Sequence, residues 1–321
     1  MEQNGFSKRL LILGNGFDLD LGRATRYSDF AQSDYWPKDL KSRLYKYLTQ
    51  RSQIEKWFDL EGALANYVEE TSHSLLPTYK VVAYETAQED EEDFSVIVEA
   101  MIKYLSDAQM RDFKKDSWAA KILALACQDF AFDKIYSFNY TDLEKVADAL
   151  KINRMPVVEY VHGRLADHSA ILGINDQVDT IEGLFDFMRK SFNPHYSSHP
   201  VAYDLKTADE VVFFGHSLGD NDYHYFQSFF RHQCEEDMEP KEKRTITIFT
   251  YNENSRMEIM RTLHKMNDGK TSLLFQNNEI NIFCTSNDLE NNPTFKTWIS
   301  NKIKEIKRLR THKFFEDIST V

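Results

Sequence analysis

The chain has 321 residues, a formal net charge of −12 and three cysteines, Cys127, Cys234 and Cys284. That length fits one large α/β domain or a core domain carrying an insertion, and the acidic balance argues against general nucleic-acid or anionic-membrane binding. Cysteines this far apart, odd in number and without a C-x-x-C, argue against a disulfide framework or a cysteine zinc module; with no apolar h-region and no span-length apolar run, a reducing cytoplasm is the expected setting.

Leu10 to Leu13 reads as a short buried strand that runs into Gly14-Asn15-Gly16. A strand leading through glycines into a helix is how α/β folds build phosphate pockets. Asp18 and Leu19 stand where a full G-x-G-x-x-G would continue, and no P-loop Lys-Ser/Thr follows. A plain strand-end turn and a ligand loop therefore fit equally. Asp18 to Ser33 is polar and aromatic and reads as a solvated loop, with Ser28 or Asp29 capping a short helix.

Residues 38–130 show helical periodicity and almost no strand signal. Leu40, Leu44, Tyr47 and Leu48 share one face. Trp57, Leu60, Leu64, Tyr67 and Val68 share another, and Val96, Met101, Ile102 and Leu105 a third. Glu61 reads as a surface carboxylate, Glu85 to Asp93 as an exposed loop or helix start, and Trp118 to Phe130 as an amphipathic helix. The segment is too long for a βα connection. It is expected to be a helical insertion in a core made of residues 1–37 and 131–321.

Lys134 to Phe138 is the next expected strand, ending at Asn139, with Thr141 and Asp142 as caps of the following helix. Val157 to Val161 is a third strand, ending in His162-Gly163. Ala170 to Asp176 reads as a short strand and turn, and Ile181 to Phe192 as a helix. His195 and His199 lack partners at metal-ligand spacing and read as loop residues. Glu210 to Phe214 is a clear strand before Gly215-His216-Ser217-Leu218-Gly219-Asp220. A helix over Tyr223 to Cys234, an exposed loop over Glu235 to Arg244 and a strand over Thr245 to Tyr251 ending at Asn252 follow. A helix over Ser255 to Met266, a strand over Asn281 to Cys284 and a basic helix over Pro293 to Lys313 complete the chain. Gly14/Gly16, Asn139, His162, Ser217/Asp220 and Asn252 each follow an expected strand. In a parallel sheet such turns line one crevice.

Gly14-Asn15-Gly16-Phe17-Asp18-Leu19, Phe138-Asn139-Tyr140-Thr141, His162-Gly163 and Gly215-His216-Ser217-Leu218-Gly219-Asp220 resemble, in order and over nearly the whole chain, the AbiH family of bacterial abortive-infection proteins. The same motifs are similar to a sirtuin-type NAD-binding core, which implies a Rossmann-like α/β fold with a large helical insertion after the first strand. The resemblance implies NAD as substrate or ligand and no resident metal. It implies Asn139 and His162 as the catalytic pair, and Gly14, Asn15 and Gly16 at the pyrophosphate. Asp18, Thr141, Ser217, Asp220 and Asn252 would lie on the cofactor side. Thr141 stands where sirtuin-like enzymes carry an Asp, and the deacetylase zinc ribbon is missing. Hydrolysis of NAD to ADP-ribose and nicotinamide is thus the expected activity, rather than protein deacylation. A phage or host protein trigger would meet the helical insertion, and a homo-oligomer is compatible with the chain.

Two readings of other classes stand beside it. One is a nucleotide sensor without turnover. The other is a serine hydrolase, since Gly215 to Gly219 satisfies G-x-S-x-G after a strong strand, with His264 or His312 as base. A metal-dependent nuclease using Asp18, Asp220 and Asp222 is weaker, because the net charge gives no support for DNA binding.

Overall fold

A computed structural model describes residues 7–55, 58–74, 80–179, 183–236, 243–286 and 293–319. Trp57, Ile181 and most of the expected loop over Glu235 to Arg244 lie outside the described residues. Two compact units emerge, Met1–Gly22 with Phe113–Val161 and His199–Val321, and Arg23–Asp112 with His162–Ser198.

The first unit is built on a six-stranded, all-parallel sheet. Its strands are β1 (Arg9–Leu13), β2 (Lys134–Ser137), β3 (Val157–Tyr160), β4 (Glu210–Phe214), β5 (Thr245–Thr250) and β6 (Glu279–Cys284), in the order β3-β2-β1-β4-β5-β6. This is the doubly wound order of dinucleotide-binding folds, which reverses direction between β1 and β4. β1 is buried at every position because it is central and covered on both faces, which is why Leu10 to Leu13 reads as an unbroken apolar run. One core packs Leu10, Ile12 and Phe213 under α8 (Val201–Thr207), α9 (Tyr223–His232), α10 (Glu253–Met266) and α11 (Thr271–Asn277). The opposite core packs Leu11, Leu13 and Phe214 under α1 (Gly16–Asp20), α6 (Trp118–Ala126), α7 (Leu143–Ala149) and α12 (Pro293–Ser319). α6 ends at Ala126, short of the expected Phe130, and buries seven of its nine residues. That apolar content ties it to the sheet, so the compact unit includes a helix that the sequence reading placed in the insertion.

Near the starts of the strands, a polar network crosses the sheet unit. Asp204 on α8 accepts from Lys8 Nζ at 2.7 Å, from Lys134 Nζ at 2.9 Å and from the Tyr136 hydroxyl at 2.6 Å. Glu159 accepts from Lys134 at 2.8 Å and meets His199 Nδ1 at 2.8 Å, so His199 is tied to the sheet. Burial pushes the Asp204 carboxyl up, but the hydrogen bonds from Lys8, Tyr136 and Lys134 outweigh it and hold the group down to about 2. A depressed carboxylate stabilises the fold above its ordinary 3.8, and that contribution is lost as pH falls through about 2. Urea midpoints for the wild type should therefore drop between pH 4 and 2 more than those of Asp204→Asn, on the order of 2 kcal/mol in the difference.

The second unit is helical, with α2 (Tyr27–Ala31), α3 (Arg43–Ile54), α4 (Leu60–Ser74) and α5 (Lys80–Met110). Leu44, Leu48, Leu60, Leu64, Tyr67 and Val68 are buried as their spacing predicts. On α5 the apolar face runs through Phe94, Ile97, Met101 and Leu105, while Val96 is exposed. Of the two expectations for Glu85 to Asp93, a loop or a helix start, the helical one holds, since the run lies within α5. Its acids cap α3: Asp90 accepts the Leu44 amide at 2.9 Å and Asp93 the Ser42 amide at 2.9 Å, meeting donors that a helix start leaves open. Glu61 is not a surface carboxylate; it pairs with Lys190 at 2.9 Å, both side chains nearly inaccessible. Ala170 to Asp176 forms only an isolated bridge, Ile174 to Arg189, in place of a strand. The expected helix to Phe192 is instead two 3-10 turns, Asp186–Met188 and Lys190–Phe192, because that segment bonds its backbone to Ile174 (Ile174 N to Met188 O, Lys190 N to Ile174 O). Among the described residues, no helix is long and apolar enough to cross a membrane.

Candidate functional site

The expected ligand loops at the carboxyl ends of β1, β2 and β4 come together in the sheet unit. Gly14 N donates to Phe214 O at 3.1 Å, Gly16 N to Gly215 O at 2.9 Å and Gly215 N to Phe249 O at 2.9 Å. A Cβ on Gly14 would sit 2.5 Å from His216 Cα, and one on Gly16 2.6 Å from Gly215 Cα. Gly215 is left-handed, with φ +65°, and its own Cβ would strike Gly16 C at 2.5 Å. These glycines let two loops lie backbone against backbone at the point where the strand order reverses. The Gly14 and Gly16 amides are thereby engaged by the carbonyls of Phe214, at the end of β4, and Gly215, just after it. Asn15, between them, is exposed.

The loop after β2 is tied to the same place. Phe138 N continues the ladder to Leu13 O at 2.9 Å. Asn139, only 5% exposed, donates Nδ2 to Gly14 O at 2.9 Å. Thr141 donates to Asp18 Oδ2 on α1 at 2.8 Å, and both are 2% exposed. Asp142 is the N-cap of α7, accepting the Glu144 and Lys145 amides as expected. Burial, and then neighbouring Glu144, push the Asp142 carboxyl above its ordinary value.

The profile of the family described as bacteriophage abortive infection AbiH matches residues 10–241. The chain belongs to the AbiH family. No curated protein and no solved structure matches it. The AbiH region holds the glycine loop, Asn139, Thr141, His162, Ser217 and Asp220, while Asn252 lies beyond it.

Asn252 caps α10, its Oδ1 accepting the Ser255 amide at 3.0 Å. Ser217 is exposed and accepts the Gly219 amide at 3.3 Å. Asp220, also exposed, meets Lys265 Nζ at 2.7 Å. His162 belongs to the helical unit, directly after Val161, whose amide extends β3 by bonding Ser137 O at 2.8 Å. It is 7% exposed, and its carbonyl accepts the Ile171 amide at 2.9 Å. Gly163 turns at φ +69°, where a Cβ would meet Ser169 O at 1.9 Å.

The AbiH loop after β4 also contains a residue that sequence reasoning passed over. His216 is 3% exposed, and its Nδ1 accepts the Leu218 amide at 2.9 Å. Its place between glycine and serine made it look like the variable position of G-x-S. The only available signal was the two-residue spacing to a backbone amide, as in an Asx-turn.

The AbiH chain lacks the geometry of a hydrolase elbow at Ser217. Such an elbow strains the serine itself and passes straight into a helix. Here the left-handed residues are Gly215 and Leu218, and α9 starts only at Tyr223. His264 Nδ1 bonds Thr271 Oγ1 at 3.0 Å, and the His312 side chain lies outside the described residues. Among the described residues, no group of three or more His, Cys, Asp or Glu is arranged to hold a metal ion.

Proposed function

We propose that this chain is an anti-phage protein that binds NAD at the carboxyl edge of its parallel sheet, in the manner of a sirtuin-like core, and hydrolyses it to ADP-ribose and nicotinamide. The observation that carries this reading is the meeting of the β1, β2 and β4 loops where the strand order reverses, with Asn139 bonded to Gly14 O. Open α/β sheets bind nucleotides at that position. The buried Asp18–Thr141 and Asn139–Gly14 bonds keep the loops in place before ligand arrives, which lowers the ordering cost of binding. Because the Gly14 and Gly16 amides are engaged by the Phe214 and Gly215 carbonyls, we assign these glycines the shape of the loop. Contact with the pyrophosphate then falls to Asn15 and to the Ser217–Asp220 side.

In this reading Asn139 orients the nicotinamide ribose or the attacking water. The bond from ribose C1′ to the nicotinamide nitrogen breaks, water adds its oxygen to C1′ and its proton is released; the sirtuin resemblance alone gives His162 the role of acceptor. The transition state is oxocarbenium-like, so positioning and electrostatics supply most of the rate. The helical unit is the proposed meeting surface for a phage or host trigger.

Bacteria expressing the wild-type chain should resist phage and lose NAD after infection. Asn139→Ala and His162→Ala at equal protein levels should do neither. Protection with constant NAD would instead support the sensor reading.

A further inference from the structure

Leu218 is fully buried and left-handed at φ +56°, a backbone conformation that residues with a Cβ rarely adopt. The Leu218 amide is captured at 2.9 Å by His216 Nδ1. A ring nitrogen that accepts carries no proton, so the imidazole proton sits on Nε2. Nε2 is buried without a hydrogen bond of good geometry and faces Asp222 Oδ2 at 3.4 Å. The ring is held edge-on by Phe138, with centroids 4.5 Å apart, and by Phe226 at 5.0 Å. Phe138 immediately precedes Asn139, and His216 Cα is the atom that any Cβ on Gly14 would strike. From the loop after β4, His216 thus meets the loop after β1 through its Cα and the residue that follows β2 through its ring.

We propose that His216 is a positioning residue for the nucleotide: by capturing the Leu218 amide and facing Asp222, it fixes the Gly215–Asp222 loop in the shape that NAD binding requires. Its ligand rests on the nucleotide reading above, whereas its hold on the loop rests on bonds within the sheet unit alone. The two-residue reach from Nδ1 to an amide is one that an asparagine Oδ1 can reproduce in an Asx-turn. Glutamine instead sets its polar atoms near the Nε2 position and leaves the Leu218 amide without its acceptor.

The test uses the full chain, with hydrogen exchange at the Leu218 amide and titration with NAD. Wild type and His216→Asn should protect that amide, whereas His216→Ala and His216→Gln should exchange it at least about tenfold faster, the size expected for one lost hydrogen bond. NAD affinity should fall about tenfold in His216→Ala and His216→Gln and stay within about threefold in His216→Asn, with the rate of nicotinamide release at saturation changed less than KM. Unchanged Leu218 protection in His216→Ala overturns the proposal whatever NAD does, and so does equal NAD affinity in all four proteins. If the wild type protects Leu218 but binds no NAD, the nucleotide reading fails while the hold of His216 on the loop stands.

Discussion

Gly215→Ala should lower folding stability by about 2–5 kcal/mol, the sum of a left-handed L residue and an overpacked contact. The added methyl would lie 2.5 Å from Gly16 C and 2.6 Å from Phe17 N, both backbone atoms that no rotamer change can move. Relief would require separating the β1 and β4 loops, and with them the bonds from Gly16 N to Gly215 O and Gly14 N to Phe214 O. Gly219→Ala is the control. Its methyl would meet only the movable Ser217 Oγ at 3.2 Å, and Gly219 already has φ −65°. That variant should differ from wild type by less than about 1 kcal/mol. Urea denaturation of the three proteins measures both numbers. Equal stability of Gly215→Ala and wild type would mean that the two loops do not pack as described.

Glu61→Gln should cost about 3–5 kcal/mol, because it leaves the Lys190 ammonium buried beside a neutral amide. The two side chains are 8% and 9% exposed, so water cannot take the place of the carboxylate. The pair joins α4 to the turn whose Lys190 amide also bonds Ile174 O, so its loss loosens the irregular half of the helical unit. Glu61→Leu combined with Lys190→Met should recover most of the loss, since apolar residues of similar volume can replace a buried ion pair. Denaturation of the single and double variants forms the cycle. A Glu61→Gln protein as stable as wild type would place the pair in water.

The parts of the fold that could be read from sequence are those whose signal is local. After their first residues, Arg9 and Glu210, β1 and β4 are apolar because both faces of a central parallel strand are covered, and the loops after the strands carry Gly14, Asn139 and Gly215 in plain view. Glu61 was misread because its partner lies 129 residues away, and a lone carboxylate on a helix looks solvated. The acidic run around Asp90 reads as an exposed loop or a helix start; that it is helical was therefore open to the sequence, but the burial of Asp90 was not, because the donors it meets belong to α3. The segment from Ala170 to Phe192 reads as a strand and a helix but forms an isolated bridge and two 3-10 turns. Its buried residues are set by backbone crossings so close that a Cβ on Gly173 would meet Met188 O at 2.2 Å. In the candidate site, the place of Asn139 after a strand is legible in the sequence, whereas Thr141, which reads as a helix cap, bonds Asp18 instead. His216 was not legible, because its work is done through a backbone amide that composition does not reveal.

Nicotinamide release from NAD by the purified full chain is the most direct test of the central claim. Wild type, with phage-infected lysate present if the activity is latent, should release nicotinamide and ADP-ribose in equal amounts. Asn139→Ala should retain at most about 1% of that rate, the loss expected when one positioning group is removed from a transition state. Thermal melts of both proteins separate lost chemistry from lost folding. Wild-type protein that binds NAD and releases no nicotinamide under either condition would contradict hydrolysis, and protein that binds no NAD would contradict the site itself.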